Sequence, residues 1–248
     1  MPPTNSQLFY SVNKSKIFVR MPIRIGVFAP YGAQTLDAAC VDVLGSMSKE
    51  YLSLILELPS YIAADLAPST TFSYINSPSQ GDKIELTSGI VMKATHNYED
   101  EDVAPGKLDI VIIPGPDPNT VLEEPALDWL RKQFATPGVD ILSICTGIFL
   151  VGASGIGNNK TVSGPRGLQK QLSEKFPKMK LAGEKYRWVR DGNLWSSGEY
   201  ILWLFSGRAI ANIDFVKAVS RTVTISWLLM LGRQPSTGLD LFARLALS

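Results

Sequence analysis

Histidine and cysteine are almost missing from this chain: its 248 residues hold one histidine, His96, and two cysteines, Cys40 and Cys145. A single imidazole and no C-x-x-C pair leave no ligand set for a zinc site. Two cysteines cannot build a disulfide framework, so the sequence reads as a reduced, intracellular, cytoplasmic protein. An excess of charge of either sign is also missing, with 24 basic against 23 acidic side chains. No global field therefore points to nucleic acid or to an anionic membrane. Long hydrophobic runs are absent too. Ile201-Leu202-Trp203-Leu204-Phe205 and Trp227-Leu228-Leu229-Met230-Leu231 fall far short of the roughly 20 apolar residues of a membrane span. There is no internal repeat and no low-complexity tract.

What is present is apolar substance, 45% of the residues, ample for one large α/β domain or two small ones. Residues 1–36 carry Lys14, Lys16, Arg20 and Arg24 but no acid, a faint import flavour without an amphipathic arginine-rich pattern. Met21 stands just before the first strand, so residues 1–20 are expected to be a loose extension.

Ile23-Arg24-Ile25-Gly26-Val27-Phe28 reads as a buried strand, with a turn at Pro30-Tyr31-Gly32. From Thr35 the recurrence of Leu36, Ala39, Cys40, Val43, Leu44 and Met47 predicts a helix with those side chains inward. Asp37 falls in its first turn, where a carboxylate suits the helix dipole. Residues 51–69 give a further helical stretch broken by Pro59 and Pro68. Strands are expected at Phe72–Ile75, Ile84–Thr87 and Ile90–Thr95. His96, at the end of the last, reads as a structural or surface residue rather than a catalytic one.

Leu108-Asp109-Ile110-Val111-Ile112-Ile113 is apolar enough for a central parallel strand. The rigid loop Pro114–Asn119 follows, then a helix starting near Pro125. Later, Leu168, Leu172 and Phe176 mark a short helix stopped by Pro177, and Tyr186–Ser197 reads as a hairpin turning at Asp191-Gly192. Alternating strands and helices imply a parallel sheet covered on both faces, with sites at the carboxyl ends of its strands.

One stretch organises the rest. Val139–Leu150 is a β-rich apolar run that ends in Cys145-Thr146-Gly147 and passes into a helical pattern. Ser143-x-Cys145-x-Gly147 has the spacing of a nucleophile elbow, where a strand turns sharply into a helix and presents one side chain at the bend. A thiol there meets a helix N-terminus, which favours the thiolate. Cys145 equally fits a buried core cysteine. The ends of the first strand (Asp37), of the Ile110–Ile113 strand (Gly115) and of the elbow strand (Cys145) are expected to converge.

The residues Gln34-Thr35-Leu36-Asp37, Leu108–Gly115, Ser143-Ile144-Cys145-Thr146-Gly147 and Arg187–Gly198 together resemble the ThiJ/PfpI superfamily, and more narrowly its fungal isocyanide (isonitrile) hydratase-like branch. The resemblance implies a flavodoxin-like three-layer sandwich with a mostly parallel central sheet, spanning residues 21–232, and a homodimer. It implies Cys145 as nucleophile, Asp37 as general acid, and a thioimidate hydrolysed to an N-substituted formamide, with no metal or organic cofactor. Thr146 would orient substrate or water, or cap the elbow helix. Gly115 and Gly147 would stand at the substrate and oxyanion position. Members of this group in fungi resemble accessory proteins of secondary metabolism.

Two positions choose the branch: Thr146 stands where protease- and chaperone-like members carry His, and Asp37 where deglycase-like members carry glutamate. Segment 199–212, with Glu199–Arg208 at its heart, departs from the family pattern, and so does the tail 233–248. A displaced turn at 199–212 would close the cleft and abolish activity. Alternatives that stay open are a cofactor-independent glyoxalase or deglycase and a non-catalytic redox-sensing or interaction protein using Cys145.

Overall fold

The computed structural model describes residues 22–55 and 67–198. The extension 1–20, the atypical segment 199–212 and the tail 233–248 lie outside them.

The first strand, β1 (Ile23–Phe28), alternates its side chains between two cores. Ile23, Ile25 and Val27 face one cluster, and Phe28 faces the other, where its ring stacks on Trp129 at 4.5 Å. Helices α1 (Thr35–Ser46) and α2 (Lys49–Ile55) lead towards β2 (Thr70–Asn76), which pairs parallel with β1. The chain then makes a detached antiparallel hairpin, β3 (Lys83–Glu85) with β4 (Val91–Lys93), and returns as the short β5 (His96–Asn97). There the His96 Nδ1 shares a 2.8 Å hydrogen bond with Thr95 Oγ1.

Strand β6 (Ile110–Ile113) pairs parallel with the other side of β1 and is buried throughout. Helix α3 (Glu124–Ala135) follows, then β7 (Asp140–Ile144), a single 3-10 turn at Cys145–Gly147, and α4 (Ile148–Ser154). A two-stranded parallel pair, β8 (Thr161–Val162) with β9 (Lys180–Leu181), brackets α5 (Gln169–Lys175). Last comes the hairpin β10 (Trp188–Asp191) and β11 (Leu194–Ser197). Gly192 is at φ 69°, the positive φ that a two-residue hairpin loop demands of its first central residue.

The main sheet runs β10-β11-β7-β6-β1-β2-β5, parallel except for the β10–β11 pair. One face carries the cluster with Trp129, Leu130, Phe149 and Leu150 of α3 and α4. The other carries Cys40 and Val41 of α1. This is the flavodoxin-like three-layer sandwich. The chain leaves β1 in one direction to β2 and is met on the other side by β6, so the strand order reverses between β1 and β6. Crevices form at the carboxyl ends of the strands at such a reversal.

Two sequence expectations are revised. Helix α1 presents the expected face only in part: Cys40 is buried and Val43 and Leu44 pack against the same cluster, but Ala39 is exposed, while Asp37, Ala38 and Val41 are buried. The helix starts over the crevice, which brings Asp37 inward at its first turn, while Val43 and Leu44 reach the core further along. The strands expected at 84–87 and 90–95 are shorter, and they stand apart from the main sheet as the β3–β4 hairpin.

Candidate functional site

Cys145 stands at φ 53°, one of two non-glycine residues with positive φ among those described. A side chain held in that region costs about 1–2 kcal/mol, and the surrounding packing supplies the constraint. Gly147 explains part of it. A Cβ there would fall on the Ile113 carbonyl oxygen and 3.2 Å from its carbon, so only glycine lets the turn pack against the end of β6. The Cys145 side chain is 6% exposed and lies among Ile112, Leu142, Ile144 and Trp195.

Asp37 reaches the same place from α1. Its carboxyl is fully buried. Oδ2 accepts the Gly115 N–H at 3.1 Å, the Cys145 thiol hydrogen-bonds to the carboxyl, and Oδ1 has no hydrogen-bond partner. Burial raises the pKa from 3.8 to about 7, against the opposing pull of the Gly115 N–H and the thiol. A carboxyl of this kind holds its proton near neutrality and can both give and take one. The dipole-facing surface role open to Asp37 in the sequence is thereby displaced by a buried one.

Gly115 is where three segments touch. A Cβ there would crowd Thr146 Oγ1 and lie 2.6 Å from Asp37 Oδ2 and 2.9 Å from the Thr146 nitrogen. Its N–H is committed to the carboxyl rather than aimed at a free oxyanion position, and its carbonyl accepts the Gln34 N–H at 2.8 Å. The Thr146 hydroxyl does not cap α4, which has no side-chain cap. It donates to the Pro116 carbonyl at 2.7 Å and so ties the elbow to the loop after β6. The N–H groups of Thr146 and Gly147 begin the turn, where backbone donors lack intrahelical partners.

The sequence placed no role on Gln34. Its Nε2 lies 3.4 Å from Thr146 Oγ1 and 3.8 Å from the Cys145 sulfur. The signal was available: Gln34 precedes Asp37 by three residues, which puts both on one face of a starting helix. Cys40, one turn beyond Asp37, donates its thiol to the Asp37 carbonyl at 2.9 Å, and burial pushes that thiol up and keeps it neutral. Cys145, Asp37, Thr146, Gly115 and Gly147 are thus brought together at the ends of β1, β6 and β7. His96 is not among them, since β6, β1 and β2 separate its strand from β7. No described group of His, Cys, Asp and Glu could hold a metal ion, and no described helix is long and apolar enough to cross a membrane.

The DJ-1/PfpI family model matches residues 63–205, which include Gly115 and the elbow and leave Asp37 outside. Among solved structures, DJ-1 of Schizosaccharomyces pombe is 15% identical, with 86% of this chain and 100% of that one covered and a TM-score of 0.55. Drosophila melanogaster DJ-1beta is 15% identical over 84% of this chain and 96% of that one, at a TM-score of 0.57. An AraC family transcriptional regulator from Pseudomonas putida is 19% identical over 79% and 92%, at 0.52. No curated protein matches the sequence. These structures share the fold, and the family model spans more than half of the residues: the chain belongs to the DJ-1/PfpI family.

Proposed function

We propose that the protein is an isocyanide hydratase-like enzyme, a hydro-lyase that adds water to an isocyanide through a Cys145 thioimidate and releases an N-substituted formamide. The observation that carries the reading is the Asp37 carboxyl, buried, holding a proton near pH 7 and bonded to the thiol at the elbow. Cysteine enzymes that cleave amides use an imidazole to take and return protons. Here the one histidine stands on a far strand, and the acid beside the sulfur is a carboxyl.

Isocyanide chemistry suits that equipment. The Cys145 thiolate attacks the terminal carbon and forms the C–S bond, while the Asp37 carboxyl delivers its proton to that carbon, giving R–N=CH–S–Cys145. The Asp37 carboxylate then takes a proton from water as its oxygen adds to the thioimidate carbon. That proton passes to nitrogen, and as the C–S bond breaks the hydroxyl of the adduct gives its own proton to Asp37, so that R–NH–CHO leaves and both the thiolate and the protonated carboxyl are regenerated. Water and isocyanide are consumed in equal number and nothing is oxidised. In this reading the Thr146 and Gly147 N–H groups, at the start of the turn, meet the developing charge; such donors contribute about 2.7–4 kcal/mol each in oxyanion holes. The same reading includes a cytoplasmic homodimer and a place in fungal secondary metabolism, both resting on the sequence resemblance.

The test is formamide production from a simple alkyl isocyanide, with mass spectrometry for the covalent adduct. Wild type is expected to turn over and to show the adduct. Cys145→Ala is expected to lose both, and Asp37→Asn to lose at least 100-fold in rate, the lower end of what a general acid contributes. Because Asp37 acts first as an acid, kcat/KM should fall as pH rises through about 7. Lactate from methylglyoxal without any formamide would replace this reading by the glyoxalase one.

A further inference from the structure

Gln34 occupies the N-cap position of α1, with φ −70° and ψ 134°, yet its side chain makes no cap hydrogen bond. The residues preferred at that position are short, so that a side-chain oxygen can fold back onto the N–H groups of the first turn. Glutamine is a poor choice for the task, and here its amide is turned the other way, onto the elbow. Residues that break a local rule without a local gain concentrate at functional sites. The amide nitrogen carries two hydrogens, and two acceptors lie within its reach: Thr146 Oγ1 at 3.4 Å and the Cys145 sulfur at 3.8 Å.

The backbone beneath it is fixed on every side. The Gln34 N–H donates to the Gly115 carbonyl at 2.8 Å, and its own carbonyl accepts from Ala38 at 3.0 Å. The neighbouring Ala33 exchanges hydrogen bonds with Glu85 and Thr87, and Thr35 bonds to Ser88 at 2.7 Å. The β3–β4 hairpin therefore grips the loop that carries Gln34, although it contributes nothing to the main sheet. Gly32 (φ 76°) lets the grip close, because a Cβ there would lie 2.6 Å from the Glu85 carbonyl oxygen.

We infer that Gln34 is a positioning residue whose amide N–H donates to the Cys145 sulfur, stabilising the anionic thiolate and holding it in register with Asp37. Asp37 presents a carboxyl that repels a thiolate once it ionises, and behind it stands the neutral thiol of Cys40. The loop after β6 carries Asp117, whose carboxylate is taken by Asn119. β6, β7 and β11 bring Ile112, Leu142, Ile144 and Trp195 to this cluster. A neutral donor can favour the anion without adding a proton to the pair or competing for the one on Asp37. The inference concerns the sulfur alone and holds whatever electrophile the thiolate attacks.

The experiment is the rate of Cys145 alkylation by iodoacetamide against pH, read at that residue by peptide mass spectrometry on the full-length protein. Wild type, Gln34→Leu, Gln34→Glu and Gln34→Asn are compared, with thermal melts to establish that each is folded. Loss of one donor to a charged acceptor should move the midpoint of the alkylation profile upward by about one pH unit in Gln34→Leu. It should move further in Gln34→Glu, where a carboxylate faces the sulfur, and Gln34→Asn should fall between wild type and Gln34→Leu because its amide is one carbon short. Folded Leu and Glu variants with the wild-type midpoint would overturn the inference. If the midpoints move while no isocyanide is hydrated, the role of Gln34 stands and the hydratase reading falls.

Discussion

At the scale of single residues the geometry of the site depends on Gly115 as much as on Cys145 and Asp37, the two side chains to which the proposal gives the chemistry. An added methyl would press on Thr146 Oγ1 and sit 2.6 Å from Asp37 Oδ2, so either the carboxyl or the elbow must move. Displacements of about 1 Å at a reacting centre cost on the order of 100-fold in rate. Gly115→Ala is therefore expected to fold and to lose about two orders of magnitude in kcat/KM for formamide formation. A variant with wild-type turnover would show that the close approach is incidental. Cys145, Asp37, Gly115 and Gly147 were legible in the sequence because elbow spacing and strand ends are local signals. Gln34 could be placed beside Asp37 by its three-residue spacing, but the sulfur it reaches lies 111 residues away, and no local pattern names that partner. The Gly115 N–H was read as an oxyanion donor, and its commitment to Asp37 is visible only once three segments meet.

Among the elements, the elbow is the most tightly specified. β7 enters it flanked by β6 and β11, and Gly147 sits against the Ile113 carbonyl. Gly147→Ala would force that backbone apart in a buried part of the sheet, and overpacking of this kind costs about 1–3 kcal/mol. Gly89, in the turn between β3 and β4, has φ 80° and open space around its Cβ position, so Gly89→Ala meets only the left-handed penalty of about 1–2 kcal/mol. Urea unfolding should rank Gly147→Ala as the larger loss and only Gly147→Ala as losing Cys145 reactivity. The elbow strand and α1 were legible because each is a continuous pattern. The inner face of α1 was legible at Cys40, Val43 and Leu44 and not at Asp37, because an apolar count cannot foresee that a helix beginning over a crevice turns an acid inward. The separation of β3–β4 from the sheet was hidden for a similar reason, since strand pattern says nothing about which partner a strand finds.

Across the whole molecule the buried carboxyl sets a conflict between stability and chemistry. The Asp37 pKa is 3.8 when exposed and about 7 in the fold. Between those values the folded state holds a proton that the unfolded state has released, so stability declines as pH rises from about 4 to about 7 and is level beyond. The contribution is fully present below the unfolded value and gone above the folded one. Its size, from the pKa difference, is about 4 kcal/mol, an upper limit to what removing the charge can restore. Asp37→Asn keeps an oxygen for the Gly115 N–H and carries no charge to bury. It is expected to melt at a higher temperature than wild type at pH 8, by an amount that shrinks as pH falls and vanishes only below about 4, where Asp37 is protonated in both the folded and the unfolded chain. Melting curves of both proteins across that range decide the matter. A constant difference would mean that the carboxyl is solvated or paired, and the acid that the mechanism needs beside Cys145 would be lost with it. A difference that shrinks as pH falls would show that the fold tolerates an unfavourable buried acid, a burden that the proposed chemistry at the elbow would explain.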